Sequence, residues 1–509
     1  MSTPPSVPPA IPPASERDLA SGPEAVSLAQ KAVTHTSWFA LFKMISQVLS
    51  WGVTVVVARL LSPVDYALSA MATLITGYAE LLSEMGIGAS IIQKKEPTES
   101  ELSSIFWFSL GVGVLFALAC IPIAFITAEI FDEPDVIPLI LSISVLFVFT
   151  GLQVVPLSLL KRDLNYKAVG LIEMQTTIIS CLGMLVIAYF GGGVWTLIGG
   201  RLIRGVVRLV LVYRTTTWRP KLNLNFAETK GYLSFGIMVA ASSSAYYMFE
   251  VADRFFAGRA WTAEALGFYL FALQLAQVPT EKLTSSINQV TYSLFSRYQD
   301  DLRTFSDYYL KTIKLTAALV FPIFVSGFLL GDQLIPILLG DKWVPMSTLF
   351  KFLCLAQILV TLNAVVGFLH MALGKPIKGL YFNVACAVLM SVSYFFAVDY
   401  EKEAILIPWF TTYLLITLVW LGTTNATLGI STSRYLGALR MPVLGVAVIV
   451  AIDYGLGRLE QNSGLGVSIM LPVKILCSAL GYGLFFWLFD RTFLTSIRSL
   501  KKQPATAPR

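Results

Sequence analysis

The sequence predicts an all-α protein that crosses a membrane about fourteen times, counting the apolar stretches long enough to span hydrocarbon. Three observations carry this reading. Of 509 residues, 56% are hydrophobic and 13% charged, with a mean hydropathy of +0.71, whereas soluble domains carry about 25% charged residues. The apolar residues gather in runs of roughly 20, the length a helix needs to cross about 30 Å of hydrocarbon. Basic residues collect in alternate connections between these runs, the pattern expected of cytoplasmic loops.

Residues 1–31 are rich in Pro, Ser and Ala and have no basic segment leading into an apolar core. They read as a disordered cytoplasmic tail rather than a signal peptide. Spans follow at roughly 36–58, 66–84, 103–129, 136–160, 168–190 and 194–217, making an N-terminal transmembrane lobe over 32–217. A cytoplasmic connection, 218–230, leads to a C-terminal lobe over 231–424, with spans near 231–253, 265–290, 308–330, 345–371, 378–398 and 403–424. Two additional spans, about 437–457 and 467–489, fill 425–490, and 491–509 is a second cytoplasmic tail. Asp453 and Lys474 interrupt these last two spans and make them the least regular.

Orientation follows from the connections. Lys94, Lys95, Lys161, Arg162, Lys167, Arg214, Arg219, Lys221, Lys375 and Lys378 fall on one side. The other side holds little more than Arg59, Arg259, Lys342, Lys402 and Arg458. The basic side is expected to be the cytoplasm, with both termini there. The net charge of +6 thus reflects topology and does not call for a nucleic-acid partner. The five cysteines sit in apolar runs and the two histidines lie far apart, so neither a disulfide framework nor a metal site is expected, and no cofactor motif is present.

The run VWTLIGGRLIRGVVRLVLVYR places Arg201, Arg204 and Arg208 inside a span. At about 100° per residue they share one helix face, within roughly 60°. An Arg in hydrocarbon costs at least about 2.5 kcal/mol, so such a stripe must face a polar cavity or ion-pair partners. A cavity stripe would suit an anionic cargo, phosphate above all, because the guanidinium fork matches phosphate geometry. Arg208 stands close enough to the cytoplasmic side to reach its surface instead. Further candidate cations are Lys43, Arg254, Lys282 and Lys351; Lys43 and Lys351 lie near a membrane face, Lys282 adjoins Glu281, and Arg254 is one turn from Glu250. Embedded carboxylates at Glu80, Glu84, Glu250, Asp253 and Glu281 are candidates either for ion coupling or for neutralising these cations. Gly111, Gly113, Pro122, Pro156, Gly199, Gly200, Pro279, Pro322 and Pro336 lie within spans or at their ends, where they would kink helices or let them pack closely.

ARLLSPVDYALSAMATLITGYAELLSEMGIGASIIQ after the first span is echoed about two hundred residues later by AGRAWTAEALGFYLFALQLAQVPTEKLTSSINQV. Arg59 matches Arg259 and Asp65 matches Glu264. Both copies enter with the same orientation, which points to a parallel repeat of two six-helix lobes with cargo held between them. At these residues, together with VVPLSLLKRDLNYKAVGLIEM, VADRFFAGR and SLFSRYQDD, the chain resembles the polysaccharide transporter branch of the multidrug/oligosaccharidyl-lipid/polysaccharide (MOP) superfamily, the Wzx-type flippases. The resemblance covers roughly 32–430.

It implies a flippase of a bacterial inner membrane. The cargo would be an undecaprenyl-pyrophosphate-linked repeat unit for exopolysaccharide, capsule or O-antigen assembly, moved by alternating access. Membrane lipid, a polysaccharide polymerase and a chain-length regulator would be its partners. Related flippases for the peptidoglycan precursor carry cavity cations in the first, second and eighth spans; here the second span bears Glu80 and Glu84 instead, so those cations are not transferred. Competing readings are a drug or metabolite antiporter of the same superfamily, which would need a small cavity with few cations, and a membrane polymerase or glycosyltransferase. Such an enzyme would need a sizeable catalytic loop, and every connection is short. A structural scaffold would not explain embedded arginines.

Overall fold

The computed structural model describes residues 23–84, 88, 91–92, 97–223, 230–298, 301–463 and 466–490. Among them fourteen helices of 17 residues or more succeed one another, and there is no strand. They are α1 (Pro23–Leu60), α2 (Pro63–Glu84), α3 (Glu99–Phe131), α4 (Val136–Arg162), α5 (Tyr166–Tyr189), α6 (Trp195–Thr215) and α7 (Lys230–Ala260). Then come α8 (Ala263–Arg297), α9 (Leu302–Leu339), α10 (Ser347–Ala372), α11 (Pro376–Ala397), α12 (Thr412–Leu428), α13 (Thr432–Ser463) and α14 (Val467–Phe489). Short 3₁₀ segments, Asp341–Met346 and Lys402–Leu406, lead into α10 and toward α12. Among the described residues ten helices, α1, α3–α5 and α9–α14, contain stretches long and apolar enough to cross a membrane, and the chain is a multi-pass membrane protein. The other four, α2, α6, α7 and α8, carry most of the embedded charges that the sequence singled out.

Hydropathy located the buried part of each helix, but caps set the ends. α3 starts at Glu99 because Thr98 and Glu101 form a reciprocal capping box: Glu101 N donates to Thr98 Oγ1 (3.2 Å) and Thr98 N to Glu101 Oε2 (3.0 Å). Asp301 Oδ1 accepts from the backbone N–H groups of Arg303 and Thr304 and starts α9 ahead of its apolar run. α1 begins at Pro23 rather than near residue 36, since PEAVSLAQKA consists largely of strong helix formers behind an initial proline. The tail expected over 1–31 is therefore helical from Pro23; its remainder lies outside the described residues, as does the 491–509 tail. SLFSR, expected to follow the eighth span, is the last turn of α8.

α3 and α4 pack closely along their length. Added methyl groups at Gly113 and Gly151 would overlap the backbone of the facing helix at Phe147 and Ser109, so these two glycines are close-packing positions; Gly111 meets nothing. Gly199 and Gly200 face Ile187 and Met184 of α5. Pro122, Pro156, Pro279, Pro322 and Pro336 all lie inside helices.

Helices α1–α6 pack into one lobe and α7–α12 into a second, while α13 and α14 lie against α9. The repeat is visible in the backbone: α1 ends at Leu60 and α2 starts at Pro63, as α7 ends at Ala260 and α8 starts at Ala263. Ser62 N and Oγ donate to Asp65 (2.7 Å each), and Ala265 N donates to Thr262 Oγ1 at the equivalent turn. One end of the bundle is sealed between the lobes. Arg59 donates to the carbonyls of Leu338 (2.8 Å) and Ile337 (2.5 Å), Lys342 to those of Arg59 (2.7 Å) and Leu61 (2.6 Å), and Trp343 Nε1 to that of Ala58 (2.9 Å). Trp343 is fully buried against Tyr66 and Phe271, and a single apolar core joins both lobes there. Gly267 lets α8 touch the start of α2, since a Cβ would overlap the Pro63 carbonyl.

Candidate functional site

Below this seal the lobes part around a cavity of about 570 Å³. Its walls come from α1 (Thr54, Val57), α2 (Ser69, Thr73), α5 (Ser180, Met184), α6 (Leu197, Gly200, Arg201, Arg204), α7 (Glu250, Arg254) and α8 (Gln274, Gln277, Glu281). Three guanidinium groups and two carboxylates thus meet hydroxyl and amide groups in the middle of a membrane protein. Such a lining offers a charged head group the polar route that hydrocarbon denies it.

The α6 stripe divides. Arg201 and Arg204 are exposed side chains on the cavity wall. Arg208, one turn on, turns to α5 and pairs with Glu173 at 2.8 Å. It lines neither the large cavity nor the smaller one beside it, and its Nε is buried without a hydrogen-bond acceptor. Glu173 was missed in the sequence because a partner on the neighbouring helix leaves no periodic signal. Arg254 pairs with Glu250 at 3.6 Å along α7, and both also line the cavity.

The remaining candidates scatter. Lys43 lines a separate, smaller cavity of about 340 Å³ with Lys161, Glu173 and Arg204. Lys351 is held by Asp332 (2.6 Å), away from the large cavity, and so is an ion-pair partner. Lys282 is half-buried and does not line the large cavity, although its neighbour Glu281 does. Asp253 is buried, accepting from Tyr269 Oη (2.6 Å) and from the backbone N–H of Arg254 (2.7 Å); it faces the α7–α8 contact instead of the cavity. The side chains of Glu80 and Glu84 lie outside the described residues. The polar lining from Ser69, Thr73, Gln274 and Gln277 went unremarked in the sequence, where isolated Ser, Thr and Gln in an apolar run carry no distinguishing pattern.

Comparison with known proteins decides the family. A family model described as polysaccharide biosynthesis protein matches residues 56–348, more than half of the chain. The chain belongs to the polysaccharide biosynthesis protein family. Its similarity to the lipopolysaccharide biosynthesis protein WzxC of Escherichia coli (strain K12) is 26% identity over 361 residues, covering 70% of this chain and 73% of WzxC. The teichuronic acid biosynthesis protein TuaB of Bacillus subtilis (strain 168) is 23% identical, over 80% of this chain and 85% of TuaB. Among solved structures, the lipid II flippase MurJ in an inward closed conformation aligns with a TM-score of 0.72 at 11% identity, covering 90% of this chain and 99% of MurJ. That likeness shows the fold: this family member has a MurJ-like helical architecture.

Proposed function

We propose that this protein is a flippase that carries lipid-linked oligosaccharide repeat units from the cytoplasmic to the periplasmic leaflet of a bacterial inner membrane. The observation that carries the reading is the cavity between the lobes, with Arg201, Arg204 and Arg254 on its walls. An undecaprenyl-pyrophosphate carrier presents a diphosphate, which guanidinium forks bind in a wet site without a metal. The oligosaccharide meets hydroxyl and amide groups, and the polyprenyl chain stays in lipid. Names of relatives agree in kind: WzxC and TuaB are named for polysaccharide assembly, and MurJ for flipping a lipid-linked precursor.

In this reading residues 32–217 and 231–424 are the rocking lobes, and 425–490 adds two helices beside the second. Both termini and the basic connections face the cytoplasm. The Arg59–Lys342–Trp343 seal is then the periplasmic gate, closed in this state. Polysaccharide polymerase and chain-length regulator act on the product after release.

The test is reconstitution in liposomes with a fluorescent sugar carried on polyprenyl diphosphate or on the uncharged polyprenyl alcohol. Transfer between leaflets of the diphosphate lipid alone is the expected result. Equal transfer of both, or of neither, contradicts the reading.

A further inference from the structure

The small cavity stands apart from the site described above in every wall but one: Arg204 lines both cavities. It is built by α1, α4, α5 and α6, entirely within the first lobe, and it reaches the last turn of α4 at Lys161. Three cations, Lys43, Lys161 and Arg204, point into about 340 Å³. Its one carboxylate, Glu173, is engaged by Arg208 at 2.8 Å. Among the described residues no other carboxylate comes within ion-pair distance of the three cations. The small cavity is therefore more positive than the large one, where two carboxylates accompany the arginines.

The helices carry continuous polar faces from one cavity to the other. On α1, Lys43, Ser46, Gln47 and Ser50 recur at helical spacing along the small cavity, and Thr54 continues the same face into the large one. On α5, Glu173 and Thr177 lead to Ser180 in the same way. The opposite face of this part of α1 is apolar and exposed, with Leu41, Met44, Ile45 and Val48. A chain of isoprene units can lie along that face while its head group occupies the other, so α1 separates tail from head.

We propose that the small cavity is a second anion-binding station, in which Lys43, Lys161 and Arg204 capture the diphosphate of the lipid-linked cargo before Arg204 passes it to the large cavity. Lys43 and Lys161 act at entry and release the head group as it advances. Arg204 serves both stations, and the Arg208–Glu173 pair keeps Glu173 from competing with the phosphate for the lysines. This assignment rests on the flippase reading, and its test separates the two.

Two measurements on the full-length protein decide it. Inorganic pyrophosphate is titrated into detergent-solubilised protein by calorimetry, and initial rates of transfer of the fluorescent polyprenyl-diphosphate sugar are measured in liposomes against lipid concentration. Wild type is expected to bind two pyrophosphates and Lys43→Gln/Lys161→Gln one. The double variant should raise KM about a hundredfold or more with kcat unchanged, from the loss of two charge-assisted contacts. Lys43→Arg/Lys161→Arg should restore both values, which a merely structural role would not require, and Arg204→Gln should affect KM and kcat together. Unchanged KM and an undiminished second pyrophosphate site in the double glutamine variant would overturn the station. Wild-type protein that binds two pyrophosphates, loses one in the double variant and yet moves no lipid would leave the station standing and sink the flippase reading.

Discussion

Arg208 shows how one helix stripe divides at the level of single residues. The sequence placed three arginines on one face of α6, and the spacing was right. Arg201 and Arg204 reached the cavity, but Arg208 found Glu173 on α5 at 2.8 Å. Helical periodicity says which way a side chain points, and only packing says what stands opposite. Both members of this pair are about one-third exposed, so their coupling is expected to be modest. A double-mutant cycle on Arg208→Ala and Glu173→Ala, read by thermal unfolding in detergent, should give a coupling of roughly 1 kcal/mol, the range for partly exposed pairs. Additive effects would show that the pair contributes nothing to stability. The same holds for Lys351, a candidate near a membrane face that pairs with Asp332, and for Asp253, whose acceptor oxygens are taken by Tyr269 and by backbone.

At the level of elements, hydropathy found the helices and their order, and it placed both ends of α2–α6, α10, α11 and α14 within about four residues but not those of α1, α7–α9, α12 and α13. Hydrophobic runs report the portion that lipid or protein buries, whereas α1, α8, α9 and α13 continue past it until a cap or a break in helix propensity stops them. The charges that made the last two spans look irregular turn out to join them. Lys474 of α14 is almost wholly buried, 2.7 Å from Glu460 and 3.9 Å from Asp453, both on α13. Gln333 of α9 completes the group, donating to Glu460 at 3.3 Å and accepting from Lys474 at 3.4 Å. This cluster fastens α13 and α14 to the second lobe, aided by the Tyr482 hydroxyl donating to the Ala318 carbonyl (2.9 Å). Lys474→Met would leave two facing carboxylates without their cation and should destabilise the protein by about 3–5 kcal/mol, the cost of breaking a buried ion pair. Retained thermal stability with normal membrane abundance would show that the cluster does not hold these helices.

For the whole molecule, the repeat was the most informative signal. The sequence repeat that pairs Arg59 with Arg259 recurs in the backbone as matching helix breaks at 60–63 and 260–263. The seal between the lobes was not legible, because its hydrogen bonds join Arg59 to carbonyls at residues 337 and 338, far along the chain, and depend on backbone positions that no side-chain pattern encodes. The orientation proposed from the basic connections predicts that single cysteines placed near Arg162 and Lys375 in a cysteine-free variant react with an impermeant thiol reagent only after the cells are opened. Cysteines near Asp132 and Asp399 should react in intact cells. Labelling of the Arg162 or Lys375 position from outside would invert the topology and turn the Arg59 seal into a cytoplasmic gate.

The role proposed for the arginines of the inter-lobe cavity is to hold the diphosphate of the cargo during transfer. It is tested most directly by Arg201→Ala and Arg204→Ala in liposomes, measuring leaflet transfer of the polyprenyl-diphosphate sugar per folded molecule. Each alanine variant is predicted to insert normally and to slow transfer at least about tenfold, equivalent to some 1.4 kcal/mol of lost stabilisation. Lysine at either position should recover part of the rate, because a point charge attracts phosphate without the fork. Wild-type transfer by both alanine variants, at wild-type abundance and stability, would remove these arginines from the transfer step.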